Sequence, residues 1–360
     1  MQRKISLELI ISIAVTVVII LLKIPGLLKA TLLGIFIAGM LFVRRGVLWY
    51  VKANKKITSK NPEDWEAAWP LYQRALRAGL KKGEHVTVAS LYLQRGDRET
   101  GVTILNEYLA KSGGKSAEFD AIAKMLLSMA HWMVGELDEA IAIVDACYQN
   151  GQRDRNLYIN YSTYLICAGR LEEAKQFIEE AIANGFTTPG IEDNLGWYNL
   201  LLGNWAEAEE VLSELVSRNP QFAEPYIHLA IVHLHYGEVA PALALLEQAM
   251  ECSFTNVSMS KKDRIQTLYD RLKDPATRTL AAKEIEADRA AVARGELPKE
   301  LNQGFASTDS DTLPGFATRP IAAVPLQKKK ASAVRMEREP NTDLTEEDLR
   351  YIESMEQSES

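Results

Sequence analysis

The sequence has few cysteines. Its 360 residues include only three, Cys147, Cys167 and Cys252, which are far apart and odd in number. Such a set predicts no disulfide framework and contains no CxxC pair for redox chemistry or for zinc binding. We therefore interpret all three as small, buried or half-buried apolar residues of a protein that folds in a reducing compartment.

Catalytic motifs are missing as well. The sequence contains no GxxxxGK(S/T) phosphate loop, no HExxH zinc helix and no GxSxG nucleophile turn. Its nearest approach to a metal cluster is the trio His228, His233 and His235, whose spacing does not bring all three to one helix face. From these absences we predict that the protein is not an enzyme and that it uses no metal and no cofactor.

Acidic residues are scarce only at one end of the chain. Residues 1–60 contain ten Lys or Arg and one acid, a net charge of +9, whereas residues 61–360 contain 31 basic and 47 acidic residues, a net charge of −16. The acidic body predicts no nucleic-acid partner, because nucleic acids bind to basic patches or stripes. The basic end indicates membrane lipid as a partner, since cations meet the anionic headgroups of a cytoplasmic leaflet.

Two long apolar runs fill most of the basic end. They cover about residues 5–22 and 27–43. A helix of about 18 residues extends about 27 Å, close to the hydrocarbon thickness of a bilayer. The turn between the runs, Lys23–Gly26, contains a proline and a glycine that stop helices. We therefore predict a first domain, residues 1–56, that is a transmembrane hairpin with basic flanks.

The charges around the two runs predict the topology. Lys and Arg are concentrated before the first run and after the second, and the positive-inside rule places such flanks in the cytoplasm. The expected location is a cell membrane of bacterial type, crossed twice, with both termini and the large domain on the cytoplasmic side. Two alternatives stay open. One is a cleaved signal peptide, although KIPGLLK after the first run offers no small-residue cleavage site. The other is a single span followed by an interfacial helix, which would move the large domain outside.

A spacing of 34 residues organises the middle of the chain. Gly135, Gly169, Gly203 and Gly237 are each 34 residues apart, and an alanine follows each of them by five residues. Glycine ends a helix at low cost because it adopts the left-handed conformation, and small residues allow two helices to cross closely. We predict a stack of helix–turn–helix units, each of which buries its apolar stripe against its neighbours.

The repeated unit resembles the tetratricopeptide repeat (TPR), a helix–turn–helix of the same period. The segments NLGW at Asn194–Trp197 and GNWAEA at Gly203–Ala208 carry the resemblance most clearly. The pattern covers about residues 61–254 as half a copy followed by five copies. The resemblance implies an all-α, TPR-type solenoid of about five and a half repeats plus capping helices, which we assign to a second domain, residues 57–295.

In the TPR family, the first helix of each pair lines a concave groove that binds partners. The family's groove positions, carried over to this chain, are mostly apolar: Met125, Met129, Trp132, Met133, Ile159, Thr163, Ile166, Cys167, Asp193, Trp197, Leu200, Leu201, Ile227, Ile231, Leu234 and His235. Such a lining favours an amphipathic helix or an apolar segment of another protein, including another membrane protein. Two alternatives remain: the superhelix winds tightly and these residues are core, or the chain's own tail covers them.

The last segment differs in composition. Five of the 13 prolines lie between residues 298 and 340 and the helical periodicity disappears, so we interpret residues 296–360 as a mostly disordered tail with a short helix at 343–355. The predicted function of the whole chain is a membrane-anchored scaffold or adaptor for protein–protein interactions at the cytoplasmic face. The alternative is an assembly factor or chaperone that holds apolar segments of client membrane proteins. The sequence does not determine the oligomeric state.

Overall fold

The computed structural model describes residues 7–59, 61–112 and 116–294. These residues form helices and contain no β-strand, which confirms the predicted all-α solenoid. The predicted tail and its short helix lie outside the described residues. In chain order the helices are α1 (Leu7–Leu21), α2 (Gly26–Val43), α3 (Arg45–Ile57), α4 (Pro62–Glu66), α5 (Ala68–Ala78), α6 (Lys82–Arg95), α7 (Arg98–Ser112), α8 (Ala117–Trp132), α9 (Leu137–Gln149), α10 (Arg155–Cys167), α11 (Leu171–Ala183), α12 (Pro189–Leu202), α13 (Trp205–Ser217), α14 (Glu224–His235), α15 (Val239–Met250), α16 (Lys262–Lys273) and α17 (Pro275–Ala293).

Helices α1 and α2 form the apolar N-terminal part of the structure. α2 has 18 residues, none of them buried, and is apolar and long enough to cross a bilayer. α1 has 15 described residues, with an apolar stretch at Ile11–Leu21 that is shorter than a span. The described residues therefore contain one candidate span near the N-terminus, where the sequence predicted two. A membrane anchor and a signal sequence share this character.

The helical stack begins within the segment that the sequence assigned to the basic flank. α3 packs along α5, with Ala53 and Ile57 fully or almost fully buried in the interface. The Tyr72 hydroxyl of α5 donates a hydrogen bond of 2.6 Å to Asn54 Oδ1 of α3. α3 therefore crosses the predicted domain boundary at residue 56 and supplies the first helix to the predicted half copy. Its buried positions alternate with lysines, so the sequence pattern resembled a membrane flank.

Five further helix pairs follow, and glycine closes the turn inside four of them. Gly135, Gly169, Gly203 and Gly237 have φ angles of +84°, +69°, +78° and +76°, as the sequence predicted. The residue after each glycine donates its N–H to the carbonyl five residues before it, as Asn204 does to Asn199 at 2.9 Å. These bonds satisfy carbonyls that the helix end would otherwise leave unpaired.

Close crossing of the paired helices explains the repeated small residues. A Cβ added to Gly196 of α12 would lie 2.5 Å from the Leu212 side chain of α13, so no larger residue fits there. The equivalent positions Ser128, Ser162 and Ala230 are completely buried. The predicted capping helices are α16 and α17, which are divided at Asp274 and Pro275.

Candidate partner groove

The predicted groove residues lie on the first helices of four pairs, α8, α10, α12 and α14. These helices contact one another in sequence and form one inner layer. Asn194 of α12 donates from Nδ2 to Thr163 Oγ1 and to Ser162 Oγ of α10, at 3.0 Å and 2.8 Å. Trp197 of α12 stacks on the His228 ring of α14, with centroids 5.3 Å apart. The structure thus brings the predicted residues together.

Most of these residues are nevertheless covered. The members that expose less than a tenth of their surface are Met125, Trp132, Met133, Ile166, Cys167, Asp193, Trp197, Leu200, Leu201, Ile227 and Ile231. The half-buried members are Met129, Ile159, Thr163 and Leu234, and His235 is exposed. The inner layer is therefore mainly core, and two segments of the same chain complete that core.

The first covering segment is α17, which lies across α12 and α14. Its residues Ala281 and Ile285 are buried in the same apolar cluster as Trp197 and Ile231. A cavity of about 400 Å³ remains between α17 and α14. The inner surface of the last two pairs thus already holds a helix, bound through its apolar face.

Arg289 fixes α17 to the end of α12. Its Nη1 donates to the Leu201 carbonyl at 2.6 Å, and its guanidinium lies 5.1 Å from the Trp205 ring centroid. Glu286, one turn earlier, accepts from the same guanidinium. Burial of the carbonyl end of α12 is therefore compensated by a charged donor from α17.

The second covering segment is the connection between α15 and α16, residues 251–261. Asn256, which is 2% exposed, donates its backbone N–H to the Gln94 carbonyl at 2.8 Å and its side-chain amide to the Gly96 carbonyl at 3.0 Å. Both carbonyls lie at the C-terminal end of α6, about 160 positions earlier in the chain. One asparagine thus connects the last repeat to an early one and caps its helix.

A buried polar cluster lies beneath this connection. His228 Nδ1 lies 2.9 Å from Asp193 Oδ1, and the backbone N–H of Ser260 donates to Glu224 Oε1 at 3.2 Å. Burial raises the pKa of the Glu224 carboxyl, and the nearby Asp193 raises it further. The described residues contain no group of His, Cys, Asp or Glu arranged to hold a metal ion.

Sequence reasoning missed Asn256 and Arg289. Each is a single polar residue outside the repeat pattern. Each donates hydrogen bonds to backbone carbonyls whose positions the repeat does not predict. The only available signal is the polar character of the helix that contains Arg289, which a capping helix shares.

Two profiles of the tetratricopeptide repeat family match the chain. One covers residues 88–155 and the other residues 200–255. The chain contains tetratricopeptide repeats. The matched segments correspond to most of α6 with α7–α9 and to α13–α15, so the profiles and the observed helix pairs agree. TPR proteins generally mediate protein–protein interactions, and the fold is typically a non-catalytic interaction module.

A solved TPR structure is also similar to this chain. The crystal structure of a thermophilic TPR protein from Thermus thermophilus is 19% identical in sequence and superposes with a TM-score of 0.41. The match covers 53% of this chain and 97% of that one. A search of curated proteins finds no match.

Proposed function

We propose that this TPR protein is a membrane-anchored scaffold that holds protein partners at the cytoplasmic face of a bacterial membrane. The observation that carries the proposal is the junction between α2 and the solenoid. α2 ends at Val43, α3 begins at Arg45, and α3 is packed into the first helix pair. With one residue between them, a span formed by α2 would hold the repeats directly at the bilayer surface.

The surface of α2 supports insertion into lipid. Leu27, Ile35, Phe42 and Val43 each expose 64% or more of their surface, and no residue of α2 is buried. A core helix of a soluble protein would bury such residues. α1 packs on α2, with Ser12 Oγ 3.1 Å from Met40 Sδ, which supports a hairpin of two spans within this proposal.

The partner we propose is a protein that presents a helix or an apolar segment. The inner layer supports this chemistry, because its last two pairs already bind the apolar face of α17. The alternative function, an assembly factor that holds apolar client segments, needs the same surface to be free. The contacts of α17 count against an open surface for many clients, so they favour a scaffold whose partner competes with α17 for the inner layer.

Photo-crosslinking in native membranes tests the scaffold. The crosslinker is placed at exposed Tyr236 of the inner layer and, as a matched position on a second helix, at exposed Ile182. We expect a few stoichiometric partners in the membrane fraction. Many weak adducts from Tyr236 with unrelated membrane proteins would favour the assembly factor, and a chain found only in the soluble fraction would contradict both.

Protease access tests the orientation. We expect cleavage of the repeat domain only after the cells are opened, since the positive-inside rule favours a cytoplasmic location for the basic flanks. Cleavage in intact cells would overturn the proposed topology.

A further inference from the structure

Unpaired cations are concentrated on the first helices of the solenoid. On α3, on α5 and around the start of α6, the cations without an acidic partner among the described residues include Lys52, Lys55, Arg74, Arg77, Lys81 and Lys82. Later arginines find such partners: Arg153 with Glu180 at 3.4 Å, and Arg218 with Glu192 at 2.5 Å. The first pair thus has positive charge that the protein itself does not neutralise.

Together we call these cations the basic face. Trp49 of α3 joins its two halves, since Lys52 Nζ lies 5.0 Å and the Arg74 guanidinium 5.4 Å from its ring centroid. Arg77 follows one turn after Arg74. Arg77 and Lys82 then line a cleft of about 520 Å³ between α5, α6 and α7, together with His85 and with Lys111, which is paired with Glu107 at 3.0 Å.

The basic face includes exposed apolar side chains on α3. Leu48 is 44% and Val51 is 57% exposed, whereas Ala53 on the other side of the helix is buried. No acid occurs between residues 44 and 59. Exposed apolar residues among cations are typical of a helix at a membrane interface, where the apolar groups enter the headgroup boundary and the cations meet anionic lipid.

We infer that the basic face docks on the anionic phospholipid headgroups of the bilayer that α2 enters. The inference rests on the proposed anchoring by α2, because that anchor brings α3 to the headgroup layer. The charge of the remaining solenoid supports this orientation. Residues 116–294 contain 27 acids and 15 Lys or Arg, so an anionic surface repels them and attracts only the first pair.

The full chain, reconstituted into nanodiscs, tests this docking. A fluorophore is placed at Gln73→Cys beside the cleft, in a Cys252→Ser background, and the headgroups of some lipids carry a nitroxide quencher. Burial raises the pKa of the Cys167 thiol to about 12 and also raises that of Cys147, so neither native thiol reacts readily. We expect quenching in discs with phosphatidylglycerol, and its loss in pure phosphatidylcholine or in high salt.

Matched variants separate docking from a general effect of charge. The triple variant Arg74→Gln, Arg77→Gln and Lys82→Gln should reduce the docking equilibrium about 100-fold, since each cation near an anionic surface contributes roughly fivefold. The control Lys124→Gln, Arg155→Gln and Lys262→Gln removes the same charge from exposed positions elsewhere and should leave quenching unchanged. A dye at Glu214→Cys on α13 should stay unquenched throughout.

Three results would overturn the inference. Equal quenching in neutral and anionic discs would show that charge does not hold the face to lipid. No quenching in phosphatidylglycerol discs at low salt, together with retention of the chain in the discs after a high-salt wash, would leave the α2 anchor intact and remove only the docking. A dye response to an acidic peptide, without any response to anionic lipid, would assign the face to an acidic protein. Failure of the chain to enter discs at all would instead refute the proposed anchor.

Discussion

The two ends of the solenoid differ in how their charged and apolar groups are satisfied. In the first pair, Lys56 pairs with Asp64, but Lys52 and Lys55 of α3 and Arg74 and Arg77 of α5 find no acid among the described residues, and Leu48 and Val51 remain exposed. In the last pairs, α17 covers the apolar inner layer and Arg289 bonds to the carbonyl end of α12. The last pairs thus have their apolar layer covered by the same chain. The first pair keeps exposed cations and apolar side chains, which an external anionic surface can bind. A single repeat fold can therefore be closed at one end and open at the other.

The largest loss of stability is expected for Trp197→Ala, at the end of the solenoid that α17 covers. Trp197 is 1% exposed and stacks on His228, so its removal leaves a large cavity in the inner layer. We expect a loss of about 3–5 kcal/mol in the free energy of unfolding, measured by chemical denaturation in detergent. The matched change at the open end, Trp49→Ala, should cost less, about 1–2 kcal/mol, since Trp49 is half-buried and contacts the exposed cations Lys52 and Arg74. Equal losses would show that the two ends do not differ in packing.

The next prediction concerns the connection between the late and early repeats. Asn256→Ala leaves the buried Gly96 carbonyl without its amide donor and should cost about 1–3 kcal/mol. Hydrogen exchange should rise at the end of α6, although α6 is far from Asn256 in sequence. The control Asn150→Ala, which removes an exposed amide bonded within its own helix, should not change exchange in α6. Unchanged exchange in the Asn256 variant would mean that this contact does not hold the repeats together.

A smaller effect is expected at α17. Arg289→Ala removes the donor to the Leu201 carbonyl and the contact with the Trp205 ring, which together contribute about 1–2 kcal/mol. Because this loss is local, α17 should become more sensitive to protease while the repeats stay folded. Lys283→Ala on the same helix removes an exposed cation and is the control. Equal cleavage in both variants would show that Arg289 does not fix α17.

The repeated part of the fold was predictable because it depends on local, periodic physics. Gly203 ends a helix in the left-handed conformation, and Gly196 provides the space that Leu212 needs, so spacing alone marks both positions. The same periodicity identified which residues share the inner layer. It could not show that the layer is covered, since the covering segments, α17 and the α15–α16 connection, follow the last repeat.

The covering contacts lie between positions that no sequence pattern relates. Asn256 bonds to carbonyls about 160 residues earlier, and Arg289 bonds to a carbonyl 88 residues earlier. The place of α3 in the helical stack could not be predicted for another reason. Its buried residues Ala53 and Ile57 lie among lysines, and the same pattern is typical of a membrane flank. Only the packing on α5 shows that α3 belongs to the solenoid.

The smallest expected effect compares an unpaired cation with a paired one. Lys82 has no acidic partner in the described structure, so Lys82→Gln in detergent should change stability by at most about 0.5 kcal/mol and can increase it by reducing repulsion from Arg77. Arg170→Gln instead removes a bidentate pair with Glu173, at 2.7 Å and 2.6 Å, and should destabilise by about 0.3–1 kcal/mol. Thermal unfolding in low and high salt measures both. Salt should reduce the loss in the Arg170 variant, because it already screens the pair in the parent chain. A clear loss in the Lys82 variant would instead show that this cation has a stabilising role within the fold, and the contrast between the two ends would lose its electrostatic basis.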